Sequence, residues 1–338
     1  MKFIYVAILP FRNYKDIISL TNKICSMKRE LNHKNVWVSG SRGFIGMHLV
    51  SELTKFYNLL YISNRKNTEN QNDKLIFVDF QNKSSIIDAI EKYGIPDIFI
   101  HLGWGDVPNP HSEMHLKENV SQSKKLITEL YKAGLDKFIF VGSMNEYGDR
   151  TGSLSEEMKP VGWLTNYTKG KIEVASFGFT KALEMNKKFI HIRLFYTYGP
   201  LGGSLSQDLY RAYKNKTTVS LGSCEHYRDY THVSDIVKGI KLLCDVDEST
   251  TVNLGSGKAI QLKEFVSVFW NMLGGKSGML HFGQKIIGKE QPQPYCYANL
   301  DKLQKLTGGW KPLTSLEDGI RLTIEGLVQI YAKTPNRI

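Results

Sequence analysis

Val38-Ser39-Gly40-Ser41-Arg42-Gly43-Phe44-Ile45-Gly46 decides the fold. It joins a short apolar run, Val36-Trp37-Val38, to a segment where Ile45, Leu49, Leu53 and Phe56 recur at helical spacing. Gly40, Gly43 and Gly46 let the chain turn tightly and bring its backbone close to a pyrophosphate. A helix opening at Phe44 and Ile45 then offers free N–H groups and the positive end of its dipole. Glycine loops are common punctuation, and the spacing alone carries little. The strand–loop–helix setting is what points to a dinucleotide.

The same alternation continues outward. Leu59–Ile62, Leu75–Val78, Asp97–His101, Lys137–Val141 and Phe189–Leu194 read as strands. Between them Ile86–Tyr93, Met114–Ala133 and Tyr167–Met185 read as helices, the second closed by Gly134 as a C-terminal cap. Strands alternating with helices predict an α/β chain, a Rossmann-type doubly wound parallel sheet with its ligand at the carboxyl ends of the strands. Residues 35–200 form the expected dinucleotide-binding domain. Residues 201–338 are less regular and read as a smaller C-terminal substrate-binding lobe, with some elements returning to the main body. Residues 1–34 stand outside the pattern. They read as an appendage, either a disordered extension or a start-site artefact with Met27 as an alternative start.

The bulk numbers bound the rest. With 338 residues and 41% hydrophobic content, the chain can bury one large core or two modest ones. No window of about 18 apolar residues occurs, so no membrane partner is expected. Met1–Pro10 is apolar but holds one basic residue and no small-residue cleavage pattern follows, which argues against a signal peptide. Cys25, Cys224, Cys244 and Cys296 lack metal-ligand spacing and read as reduced thiols of a cytoplasmic protein without a metal. The net charge of +11 invites a nucleic-acid reading. Residues 1–34, however, carry seven Lys/Arg against two Asp/Glu, and the rest holds no basic run interleaved with aromatics. No nucleic-acid partner is expected; a mildly basic body suits a small anionic ligand.

Two further clusters carry chemistry. The second strand ends Leu60-Tyr61-Ile62-Ser63-Asn64-Arg65-Lys66, with no acid to bond a ribose 2′-hydroxyl. Arg65, Lys66 and Arg42 in the glycine loop favour a 2′-phosphate, hence NADP(H) over NAD(H), although Arg65 and Lys66 also read plainly as solvated loop charges. Tyr167 and Lys171 are spaced i, i+4 and project from one helix face. A free tyrosine titrates at about 10, too high to share protons well at neutral pH. A nearby ammonium and an oxidised nicotinamide would lower it. Such a pair arises often by chance. Its weight comes from Ser143, which follows the strand ending at Val141 and can hydrogen-bond a substrate oxygen and support Tyr167. Glycine loop, post-strand serine and Tyr/Lys helix, in that order, coincide rarely.

Over residues 35–330 the chain resembles the extended short-chain dehydrogenase/reductase family, in its NAD-dependent epimerase/dehydratase group acting on nucleotide sugars. The marks are the glycine loop, Asp79 after the third strand, His101-Leu102-Gly103 after the fourth, Gly142 to Gly148, Tyr167 with Lys171, Arg193 to Pro200, and Arg228 to Asp235. The resemblance implies that Leu102 and Gly103 join the cofactor site and that Asp79 contacts adenine. It further implies that Arg228 reaches the substrate diphosphate and that Asn119 lies near the site. Departures narrow the reaction. Family dehydratases carry an Asp-Glu pair where this chain has Met144 and Asn145, so dehydration is not expected, and Glu146 stands one position late and should point elsewhere. The neighbourhood lacks the cysteine of GDP-fucose-type epimerase-reductases. Tyr196 replaces a small or amide residue and reshapes the sugar pocket.

The resemblance implies NADPH-dependent reduction of a nucleotide-linked 4-keto-6-deoxy-sugar in surface-polysaccharide or related synthesis. In that reading Tyr167 supplies the proton, Lys171 tunes it and also holds the nicotinamide ribose, and Ser143 orients the ketone. The alternative is a nucleotide-sugar 4-epimerase with tightly bound NAD(P). A non-catalytic dinucleotide sensor would have no need of the Ser/Tyr/Lys set. Relatives pair as homodimers through a four-helix bundle. The corresponding helices here are 114–133 and 167–185, with Leu126, Leu130, Ile172 and Phe179 as interface candidates unless they only cover the sheet.

Overall fold

Side-chain alternation along each strand sorts this chain into a sheet with two unlike faces. The computed structural model describes residues 34–64, 74–284 and 295–333. Its strands are β1 (Asn35–Ser39), β2 (Asn58–Ser63), β3 (Leu75–Phe77), β4 (Ile98–His101), β5 (Lys137–Val141), β6 (Lys188–Leu194) and β7 (Thr250–Leu254). They form one seven-stranded parallel sheet in the order β7-β6-β5-β4-β1-β2-β3. Successive side chains point to opposite faces. Val36, Val38, Ile98, Ile100, Ile139, Val141, Ile190 and Ile192 make one face aliphatic. Trp37, Phe99, Phe138, Phe140 and Phe189 make the other aromatic.

Each face is covered by its own helices. Leu49 and Leu53 of α1 (Phe44–Leu53), with Ile236, Val237 and Ile240 of α6 (Val233–Leu243), pack on the aliphatic face. The aromatic face takes Ile86 of α2 (Lys83–Tyr93), Leu126, Ile127 and Leu130 of α3 (Val120–Ala133), and Val174 and Ala182 of α4 (Asn166–Glu184). The order 3-2-1-4-5 with helices on both sides is the doubly wound Rossmann arrangement. A second core joins α5 (Ser204–Asn215), α7 (Leu262–Met272) and α8 (Leu316–Lys333) through Leu209, Phe265, Phe269, Trp270, Ile320 and Leu327. Among the described residues no helix is long and apolar enough to cross a membrane, and no cluster of three or more His, Cys, Asp or Glu could hold a metal.

Several local expectations need correction. The first helix stops at Leu53; Phe56 lies beyond it, exposed, because the chain turns back through Phe56 and Tyr57 N–H bonds to Leu53 O before entering β2. The long helix does not run evenly from Met114. Its first turn, His115–Asn119, is π-helical, and α3 proper begins at Val120. Gly134 does cap it, left-handed at φ +114°. A strand at Gly152–Leu154, paired with Cys296–Ala298, gave no sequence signal. Leu126 and Leu130 are fully buried against the sheet, and Phe179 meets Phe189 edge-on at 5.1 Å. The first two therefore cover the sheet and leave nothing for a partner subunit. The leader, Arg65 and Lys66 lie outside the described residues.

Candidate functional site

The sheet order reverses between β1 and β4, so the connections leave their carboxyl ends in opposite directions and open a crevice there. Gly40 stands at its base with φ +71°, and a Cβ on it would lie 2.7 Å from Gly103 N and 2.8 Å from Leu102 C. At Gly46 a Cβ would lie 2.1 Å from Gly40 O, so the helix start also presses on the loop. Ser39 Oγ is 2.6 Å from His101 Nδ1 and accepts from Gly103 N at 3.3 Å, tying the two strand ends together. His101 Nε2 meets Ser123 Oγ at 3.0 Å. Burial, with the Lys171 charge nearby, drops the His101 imidazole to about 3, so it is neutral.

The crevice is a cleft of about 620 Å³. Its lining comes from Gly40, Ser41, Arg42 and Gly43, from Ile62, Ser63 and Asn64 at the end of β2, from Phe80, from His101–Gly105, and from Asn119, Gln122 and Ser123. Gly43 caps α1 without a side-chain bond, leaving the first-turn N–H groups of Phe44 and Ile45 for an anion. Gly40 and Gly43 leave the loop without side chains beside these N–H groups, a setting that suits a dinucleotide pyrophosphate. Among the described lining residues none is acidic, and Arg42 is the cation. Phe80 lines the cleft, whereas neighbouring Asp79 accepts from Gln81 N at 2.9 Å in a local turn.

Ser143 emerges from β5 as the cap of a short 3₁₀ turn, Met144–Tyr147. Its Oγ accepts from Asn145 N at 3.2 Å, and its N–H donates to Glu146 Oε1 at 2.8 Å. Tyr167 sits in the first turn of α4, which Thr165 caps, and its N–H donates to Pro110 O at 2.9 Å. Its phenol lies beside the Ser143 side chain. Burial pushes the phenol up to about 12, against the pull of Ser143 and with some repulsion from Glu146. One turn on, Lys171 Nζ donates to Val141 O at 2.8 Å. It lies 4.1 Å from the Trp104 ring centre, 4.8 Å from Phe140 and 5.8 Å from Tyr167. Burial lowers the ammonium to about 7, while Glu146 draws it upward. Burial thus acts on both partners of the pair, raising the phenol and lowering the lysine.

Met144 is buried with Tyr147, Leu154 and Phe195, and Asn145 is exposed. Glu146 turns inward, away from the cleft, 3.1 Å from His191 Nε2 and 3.5 Å from Arg193 Nε. Burial alone would raise its carboxyl, but His191, Arg193 and the Ser143 N–H hold it below the usual range. Asn119 faces the cleft with its amide engaged, accepting from Gly105 N at 3.0 Å and donating to Gly105 O at 2.9 Å. Arg228 is buried in the other lobe. Its Nη1 donates to Tyr227 O at 2.7 Å, and its guanidinium lies 5.8 Å from the Tyr196 ring. Asp229 next to it accepts from Ser256 N at 2.6 Å, Gly257 N at 2.9 Å and Ala298 N at 3.0 Å, holding that loop in place. Sequence reasoning missed Trp104 and His115. The available signal was their position, directly after His101-Leu102-Gly103 and four residues before Asn119.

The model of the NAD dependent epimerase/dehydratase family matches residues 36–255. The chain belongs to this family. It is 25% identical over 329 residues to an uncharacterized UDP-glucose epimerase, YtcB, of Bacillus subtilis (strain 168), covering 88% of this chain and 98% of that one. It is also 25% identical over 319 residues to the dTDP-4-dehydro-6-deoxyglucose reductase of Escherichia coli, covering 86% and 97%. The fold matches the UDP-glucose 4-epimerase of Thermotoga maritima, solved with UDP-glucose, at TM-score 0.77 and 23% identity over 88% of this chain and 99% of that one. Family folds of TM-score 0.75 have been solved with either cofactor. One is RMD of Pseudomonas aeruginosa with NADPH, at 20% identity over 88% and 99%. Another is the UDP-glucose 4-epimerase of Thermus thermophilus with NAD, at 19% identity over 87% and 99%.

The buried lysine has a pH signature. Its folded-state value of about 7 lies below the roughly 10.4 of a free lysine, so between these pH values the unfolded chain binds the extra proton. The lysine therefore destabilises the fold progressively as pH falls through that window and by a constant amount below it. Lys171→Met is expected to raise Tm by a few degrees at pH 7, with the gain shrinking towards pH 10. A gain that is equal at both pH values, or that grows with pH, contradicts the assignment.

Proposed function

We propose that this chain is an NADPH-dependent reductase of a nucleotide-linked 4-keto-6-deoxy-sugar, serving deoxy-sugar synthesis for surface polysaccharide. The observation that carries the reading is the setting of Tyr167. It is a phenol held beside Ser143 and one helical turn before Lys171, and positions 144 and 145 next to Ser143 hold no acid or base. A bound nicotinamide dinucleotide supplies the hydride. The chain's own residues do the rest. Ser143 donates to the ketone oxygen and fixes its direction, and Tyr167 passes its proton to that oxygen as charge develops there. Lys171 supports the phenol from behind. Arg228 and Tyr196 take the diphosphate and sugar side.

A nucleotide-sugar 4-epimerase is the second reading, favoured by the names of the Bacillus and Thermotoga proteins. It needs Tyr167 first as a base towards a sugar hydroxyl. Ser143, Tyr167 and Lys171 serve either reading, and the reductive one is favoured by the described cleft lining, in which Arg42 stands without an acid and suits NADPH.

Tyr167→Phe is expected to keep cofactor binding and to lower turnover about 10²–10⁴-fold, the span for a lost general acid. Near-normal turnover removes the mechanism. The described cleft lining, which holds no acid, and Arg42 favour NADPH over NADH by at least about tenfold in kcat/KM, roughly 1.4 kcal/mol, within reach of one charge-assisted phosphate contact. Equal efficiency with the two cofactors contradicts this.

A further inference from the structure

We propose that Trp104 is a positioning residue for the Tyr167–Lys171 pair, fixing the direction of the lysine ammonium and keeping water from it on the cleft side. Its kinetic consequence rests on the reductase reading; its effect on Lys171 does not. The indole face is the ring nearest Lys171 Nζ, at 4.1 Å. The same ring meets Tyr167 nearly perpendicular, at 85° and 6.3 Å. Its Nε1 donates to His115 Nδ1 at 3.0 Å, and His115 Nε2 in turn donates to Asn109 O at 2.9 Å. The indole is therefore held at its edge by a histidine of fixed tautomer while its face covers the ammonium.

The backbone around it is built to admit the ring. A Cβ at Gly170 would lie 2.9 Å from His115 O and 3.2 Å from Trp104 Cζ2, so the missing side chain there lets the indole and the His115 backbone approach α4 closely. Asn119 clamps the following residue, Gly105, through both its N–H and its C=O. The π-helical turn places His115 and Asn119 on the same side of this loop. π turns recur where a functional side chain must be re-aimed.

Trp104 and Phe140 cover the ammonium from two sides, and Lys171 is 3% exposed. The ionisable groups around it are few. Glu146 of the 3₁₀ turn is ionised but shared with His191 and Arg193. Tyr167 on the same helix and His101 at the end of β4 are neutral. His115 lies at the indole edge of Trp104, with its ring nearly parallel at 17°, and His191 stacks on Phe140. Exclusion of water by the rings, rather than a neighbouring charge, is what sets this lysine. Removing the indole forfeits the attraction of its π face but admits water, the better partner for an ammonium.

The test is a pH titration of the Lys171 side chain by ¹³Cε NMR on the full chain, with the resonance assigned through Lys171→Met. Trp104→Ala is expected to move the midpoint up by at least about one pH unit, the direction of restored hydration. Trp104→Phe, which keeps a ring face, should move it by less than half as much. If Trp104→Ala does not fold, Trp104→Gln makes the same comparison with a smaller polar side chain that keeps some of the volume. In turnover of the keto-sugar the kcat profile should shift the same way, with kcat changing more than KM. A midpoint unmoved in the folded Ala or Gln variant overturns the proposal. A moved midpoint in a chain whose wild type reduces no keto-sugar upholds the role of Trp104 and counts against the reductase reading instead.

Discussion

The ammonium of Lys171, held out of water, is the constraint around which the site is arranged. Removing a charge from water costs several kcal/mol even after the surroundings relax, and the fold answers that cost from four directions. Val141 at the end of β5 supplies a carbonyl, Trp104 and Phe140 supply ring faces, and Glu146 supplies a carboxylate. Because the acceptor is the last carbonyl of the strand, α4 must dock with its first turns directly over the end of the sheet. That docking brings Tyr167 to Ser143, the first residue beyond Gly142 after β5. The proton donor and the residue that aims the ketone are thus fixed by the same contact that holds the lysine.

The unlike faces of the sheet explain where this could happen. Aliphatic side chains pack α1 and α6, the helices nearest the glycine loop, on that side. The aromatic face runs from Phe99 through Phe138 and Phe140, stacked at 5.1 to 6.3 Å with Phe189, and its carboxyl end meets the Trp104 ring. A row of rings can hold a cation where a row of methyl groups cannot. The dinucleotide cleft and the proton-donating pair therefore meet at one edge, between the glycine loop and the aromatic row.

Much of this was legible in the chain itself. Parallel strands buried on both faces announce themselves as short apolar runs, and Gly40 and Gly134 occupy left-handed positions that their punctuation suggested. Ser143, Tyr167 and Lys171 were identified from order alone and do converge. Their electrostatics were not legible. Spacing says that a lysine lies near a phenol but not that both are dry, so that burial raises the one and lowers the other. Trp104 escaped because a tryptophan after a strand looks like ordinary packing, and its partners Lys171 and His115 are distant in sequence or hidden in a π turn. Leu126 and Leu130 failed the other way, since an apolar helix face reads alike whether it meets a sheet or a second subunit.

The central claim is net reduction at a sugar carbonyl with Tyr167 as proton donor. The most direct measurement offers dTDP-, CDP-, GDP- and UDP-linked 4-keto-6-deoxy-sugars together with NADPH carrying deuterium at the transferable position, and follows the product by NMR. The account predicts that one of them consumes NADPH mole for mole and yields a product with deuterium at the former carbonyl carbon. Interconversion of 4-hydroxy sugars with no net cofactor consumption and no deuterium in the product would contradict it.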